Sequence, residues 1–166
     1  MARSPAPQDG NRPPPRLRRA YYDCRYGQLH LHNAIPSGGG FDELTSVLCI
    51  HGSGQTGRVF LPALSVLGYE RSAYAPDLPG HGETDPAPGE TAIEAGANAL
   101  ADFLDSMRIR SVDLLTLGEG QEIAQRLAKA RGTGVRRTLH LPPADLGSAE
   151  LARKLLAALG GGNSST

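Results

Sequence analysis

The run Val112-Asp113-Leu114-Leu115-Thr116-Leu117-Gly118-Glu119-Gly120-Gln121 joins an apolar strand to a helix-forming segment through a glycine-bearing corner. A corner of this kind holds one side chain clear of a sheet, where a nucleophile is offered to substrate. The residue in that position is Gly118, which has no side chain with which to attack anything. Glu119 follows it and has the chemistry of a carboxylate nucleophile or a base for water. Its register opposes that role, because it begins the helix, and exposed amides favour an acid there for electrostatic reasons alone.

Two other groups have spacings that suggest chemistry. Gly52-Ser53-Gly54-Gln55-Thr56-Gly57 satisfies G-x-G-x-x-G and also fills the glycine frame of a phosphate-binding loop, after a strand and before a helix. As a nucleoside-triphosphate loop it has Arg58 where lysine should meet the phosphates and Val59 in place of the magnesium-binding hydroxyl. For a dinucleotide, Asp77 is roughly placed as the ribose acid, although Pro76 and the glycine-rich run after it fit another use. His30 and His32 alternate along a strand in metal-ligand fashion. No Asp, Glu or Cys cluster stands near them in sequence, so a solvent-facing strand side is expected and no metal.

These residues belong to a chain of 166, enough for one domain with a real core. Its 17 Lys+Arg and 17 Asp+Glu cancel, which argues against nucleic acid or acidic lipid as the main partner. Arg3, Arg12, Arg16, Arg18 and Arg19 lie among Pro5, Pro7, Pro13, Pro14 and Pro15, so residues 1–17 read as a disordered basic arm. Cys24 and Cys49 make neither a disulfide framework nor a zinc site; Cys49 reads as a reduced, buried side chain in Val47–Ile50. No stretch approaches ~18 consecutive apolar residues, so no membrane span is expected, and a cytoplasmic location fits.

The elements that must position the corner alternate in type. Ala20–Arg25 and Leu29–Asn33 predict a hairpin around Tyr26-Gly27-Gln28, and Val47–Ile50 a short strand ending at His51-Gly52. A helix follows Thr56, with Phe60, Leu64 and Leu67 on one side and Pro62 forcing it to start late or bend. Arg71–Ala75 reads as a strand. Thr91 caps a helix whose apolar side carries Ile93, Leu100, Phe103, Leu104 and Met107, with Glu94 set to reach back. Val112–Leu115 and Val135–Leu141 are strands flanking a helix over Glu119–Lys129, and Ser148–Leu159 is a last amphipathic helix before a disordered tail at 161–166. Strands separated by helical crossovers predict one α/β sheet covered on both faces, a three-layer αβα arrangement.

From about Tyr21 to Leu141 this order resembles the α/β-hydrolase superfamily. The likeness is carried by the paired strands, the His51-Gly52 turn, Pro76-Asp77-Leu78-Pro79-Gly80-His81-Gly82, and the strand–turn–helix at 112–124. It implies a fold truncated after about the sixth strand. It also implies that the amides of Ser53 and Glu119 are the oxyanion donors, worth roughly 3 kcal/mol each to a developing negative oxygen. His51, Gly52, Asp77, Gly80, His81 and Gly82 become organisers of loops, and Gly120 the small residue beside the corner. Thr116 and Gln121 depart from the family's pattern. Asp145, just beyond the sixth strand, is near an acid position seen in some relatives; His140 precedes it but does not match the late catalytic histidine.

The expectation is a truncated α/β-hydrolase-like protein without hydrolase activity that binds a small apolar or acyl compound and needs no cofactor. Two alternatives stay open: a residual ester hydrolase completed by a partner subunit, and a phosphate or nucleotide binder using Gly52–Gly57. A sheet that stops after its sixth strand also predicts an exposed edge for a second copy or another protein.

Overall fold

The computed structural model describes residues 13–37, 44–142, 154, 155, 157 and 158. Six strands are defined: β1 (Arg16–Cys24), β2 (Gly27–Ile35), β3 (Ser46–Ile50), β4 (Ala73–Pro76), β5 (Val112–Thr116) and β6 (Val135–His140). They form one sheet in the order β1-β2-β4-β3-β5-β6. β1 and β2 are antiparallel, and β2 is antiparallel to β4, whereas β4, β3, β5 and β6 run parallel. Helices α1 (Leu61–Leu67), α2 (Ala92–Ser106) and α3 (Gly120–Arg131) supply the crossovers that parallel neighbours require. The result is the three-layer α/β/α arrangement expected, a six-stranded mixed sheet covered on both faces.

The central strands are apolar on both faces because both are covered. In β3, Leu48 and Ile50 join α2 and α3 through Leu100, Phe103, Leu104, Ile123 and Leu127. Val47 and Cys49 point the other way, to Phe60, Leu64 and Leu67 beside α1. Burial pushes the Cys49 thiol up, so it stays protonated and acts as an apolar residue. Pro62 sits in the first turn of α1, after a 3-10 turn at Gly57–Phe60, where a missing amide hydrogen is harmless. Thr91 Oγ1 accepts the Glu94 amide at 3.2 Å and caps α2. The Glu94 carboxylate stands 3.7 Å from Arg126 on α3.

The hairpin differs from the sequence reading. β1 begins at Arg16, not Ala20, taking in two residues read as part of the arm; Arg16 pairs Ile35 and Leu17 pairs Ala34. Charged side chains are compatible with an outer strand, because pairing needs only the backbone and one side of the strand stays solvated. Cys24 pairs Gly27, so the turn is Arg25-Tyr26 rather than Tyr26-Gly27-Gln28. Arg25 then ties the hairpin to α2, donating from its backbone amide at 2.8 Å and its guanidinium at 2.9 and 3.0 Å to Asp102. Asp145 and the tail at 161–166 lie outside the described residues. Of the final helix, Lys154, Leu155, Ala157 and Ala158 are helical, and Leu155 is buried with Leu115, Leu117 and Leu141.

Candidate functional site

The ends of β3, β4 and β5 open on the same side of the sheet, because the three strands are parallel. In open α/β sheets ligands bind at these carboxyl ends. After β5, Leu117 donates its amide to the Ile50 carbonyl at 3.0 Å, and Gly120 donates to the Leu117 carbonyl at 2.8 Å, closing the corner. Gly118 sits at its tip with φ +48°, a left-handed conformation. The nearest atom to a Cβ built there is the Gly52 Cα at 3.7 Å, so space for a side chain remains although none is present. Gly120 has no such space: a Cβ would overlap the Ile50 carbonyl oxygen of the neighbouring strand. The corner is sharp and raised, and its tip bears only hydrogen.

The loop after β3 faces this corner. The Ser53 amide lies 3.3 and 3.4 Å from the two Glu119 carboxylate oxygens. Glu119's own amide, then the Ser53 amide, hold the carboxyl below its ordinary range. The Ser53 amide, one of the two read as oxyanion donors, is therefore already turned toward a carboxylate of the protein itself. Beneath them, His51 is fully buried; its Nδ1 donates to the Gly52 carbonyl at 2.8 Å and its Nε2 accepts the Leu78 amide at 2.9 Å. Those two bonds select one neutral tautomer. Burial lowers the His51 pKa, and the neighbouring His81 ring acts in the same direction.

Asp77 links the loops after β3 and β4. Its Oδ1 accepts the Gly57 amide at 2.8 Å, and its Oδ2 accepts the Glu83 amide at 3.0 Å. Burial opposes its charge, but these amides and His30 outweigh that and leave its pKa lowered. Gly80 and Gly82 have φ +78° and +50°, and a Cβ on Gly82 would strike the Asp77 carboxylate. The His81 Nδ1 donates to the Pro79 carbonyl at 3.1 Å, and its ring lies edge-on to His51 at 5.1 Å.

Two histidine readings change. His30 is not on a solvent-facing strand side: it is 2% exposed, with Nδ1 2.9 Å from Asp77 Oδ2. The acid that sequence spacing did not supply is Asp77, the residue just after β4, the neighbour of β2 in the sheet. Arg19 on β1 donates to His30 Nε2 at 3.1 Å, completing a chain across three strands. His32 is half-buried against the His30 ring, and burial lowers its pKa. Among the described residues, no group of three or more His, Cys, Asp or Glu could hold a metal. His140 is also held: its Nδ1 is 2.8 Å from Thr116 Oγ1. That hydroxyl–imidazole pair has the right atom types for acyl transfer, but Thr116 is fully buried.

Between the loops after β3 and β4 lies a pocket of about 40 Å³, bounded by His51, Leu78, Pro79, His81, Ile93, Glu119 and Ile123. A wider groove of about 590 Å³ runs between α2 and α3, lined by Ile93, Glu122, Gln125, Arg126, Lys129 and Ala130. Its lining is mostly charged and polar and includes nothing from the corner, so the smaller pocket is the candidate site. Within the Gly52–Gly57 loop the amides of Gly52, Ser53 and Gly57 meet Gln55 Oε1, Glu119 and Asp77. Two of those three acceptors are carboxylates. A phosphate entering the loop would have to displace them and face their charge.

A parallel-centred sheet in this order, with a sharp strand–helix corner after β5, defines the α/β-hydrolase fold. The sequence profile of the alpha/beta hydrolase family matches residues 47–163, and the chain belongs to that family. Among solved structures it is similar to an epoxide hydrolase from Vigna radiata, at 18% identity and TM-score 0.66, over 84% of this chain and 46% of that one. The carboxylesterase CesB from Bacillus subtilis is similar at 19% identity and TM-score 0.66, over 78% and 44%. A haloalkane dehalogenase loop variant from Bradyrhizobium elkanii gives 19% and 0.64, over 75% and 40%. No curated protein matches. The chain spans less than half the length of these structures, and at such identities the likeness shows the fold alone. Among the described residues, no helix is long and apolar enough to cross a membrane.

Proposed function

We propose that this chain is a non-hydrolysing member of its family, a binding module that takes a small apolar or acyl group between the loops after β3 and β4. One observation carries the reading: Gly118 occupies the raised corner at φ +48°, so the position from which a nucleophile would act bears only hydrogen. The apolar edges of Leu78, Ile93 and Ile123 suit a short hydrocarbon group. The buried imidazole of His51 is committed at both nitrogens to shaping the loops and has no lone pair left to take a proton from a nucleophile.

The test is Gly118→Ser, assayed against p-nitrophenyl acetate. The corner has room for the new hydroxymethyl group. A serine without an acid–base pair remains a weak nucleophile, so turnover stays at the buffer rate. Turnover well above that rate in the variant would mean that a working acid and base stand at the corner; turnover well above it in the wild type would make the non-hydrolysing reading wrong.

A further inference from the structure

The pocket's mouth holds a group of the chain's own. The Glu119 carboxylate approaches the Ser53 amide with both oxygens, at 3.3 and 3.4 Å, and it also lines the pocket. It lies close over Gly52 as well: a Cβ there would come within 3.3 Å of Glu119 Oε1 and 3.2 Å of the Leu117 carbonyl. We infer that Glu119 is the specificity-determining residue of this pocket, an internal carboxylate that occupies the Ser53 amide, excludes anions and leaves the site to neutral ligands. This rests on the binding reading and deepens it to a ligand class: amides, esters or alcohols with a short apolar group, but not the corresponding acids. An incoming carboxylate would have to displace Glu119 from the Ser53 amide and then sit against a like charge. A neutral carbonyl meets no such repulsion.

The isosteric probes propanamide and propanoate separate these cases, with binding read from the amide ¹H–¹⁵N shifts of Ser53 and residue 119 at neutral pH. The wild type is expected to bind propanamide, and propanoate roughly tenfold or more weakly, as a like charge at short range in a partly wet site would impose. In Glu119→Ala that preference shrinks or inverts. Glu119 is exposed, so the variant keeps the core intact, and Glu119→Gln, which retains the shape without the charge, should admit propanoate nearly as well. If wild type binds the two probes equally, or if Glu119→Ala discriminates as wild type does, the role of Glu119 is wrong while the binding reading stands. If wild type binds neither probe but Glu119→Ala binds propanoate, the internal carboxylate is upheld and the binding reading fails. If neither protein binds either probe, both fall.

Discussion

At the scale of single residues, the two glycines of the corner have opposite meanings. Gly118 has space beside it and a backbone angle that glycine accepts without strain. Gly120 has no space, because β3 passes directly against it. Gly120→Ala should therefore destabilise the fold by about 2–3 kcal/mol through overpacking against backbone that cannot rotate away. Urea denaturation followed by circular dichroism measures this, and an unchanged midpoint would mean that α3 shifts to accept the methyl. The place of Gly118 at the tip is legible in the sequence, since the strand–glycine–helix pattern is local, whereas the small-residue position of Gly120 follows from the family resemblance. The carboxylate of Glu119 on the Ser53 amide could not be read, because it depends on how closely the loops after β3 and β5 abut. The same limit hid the His30–Asp77 pair: 47 residues separate its members, and only the antiparallel placing of β2 against β4 joins them.

Elements were legible where their periodicity was strong. The Thr91 cap, the α2 face with Leu100, Phe103 and Leu104, and the four parallel strands follow from residue pattern. The start of β1 is hidden in the sequence because its first residues are arginines, and outer strands lack the continuous apolar run of inner ones. Asp113 shows what pattern misses inside a well-placed strand. It is fully buried in β5, with Arg136 of β6 at 2.6 and 3.1 Å and the buried Arg71 at 3.7 Å. Its charge joins the start of β5 to the outer strand and to the segment entering β4. Asp113→Ala should cost about 3–5 kcal/mol, because it leaves the Arg71 guanidinium buried without this partner. The midpoint of chemical unfolding reads the loss, and a change under about 1 kcal/mol, typical of an exposed pair, would contradict the clamp.

At the scale of the whole molecule, the titrating groups set a direction for stability against pH. His51 and His32 are held below their ordinary pKa, chiefly by burial. In the unfolded chain they protonate near pH 6.5, so that state binds more protons in the interval below it. Their contribution is therefore complete above about pH 6.5 and is lost as pH falls through the lowered folded values. Asp77 and Asp102 are also lowered, Asp102 first by its bond to Arg25, and their contributions fade further into acid. The melting temperature should fall from pH 7 to pH 5, with a smaller slope in His51→Gln; an equal slope would remove His51 as a contributor. All these groups serve the loops at the carboxyl ends of the strands or the hairpin beside them, so mild acid should loosen the site before the sheet.

On the proposed function, a hydrolase corner persists here without a nucleophile to act from it. This reading is tested most directly by incubating the wild-type protein with an alkyl fluorophosphonate, which phosphonylates activated hydroxyl groups, and measuring the intact mass. The mass is predicted to stay that of the unmodified chain. A stoichiometric adduct, whether on Thr116 or any other hydroxyl of the chain, would show an activated nucleophile and contradict the account.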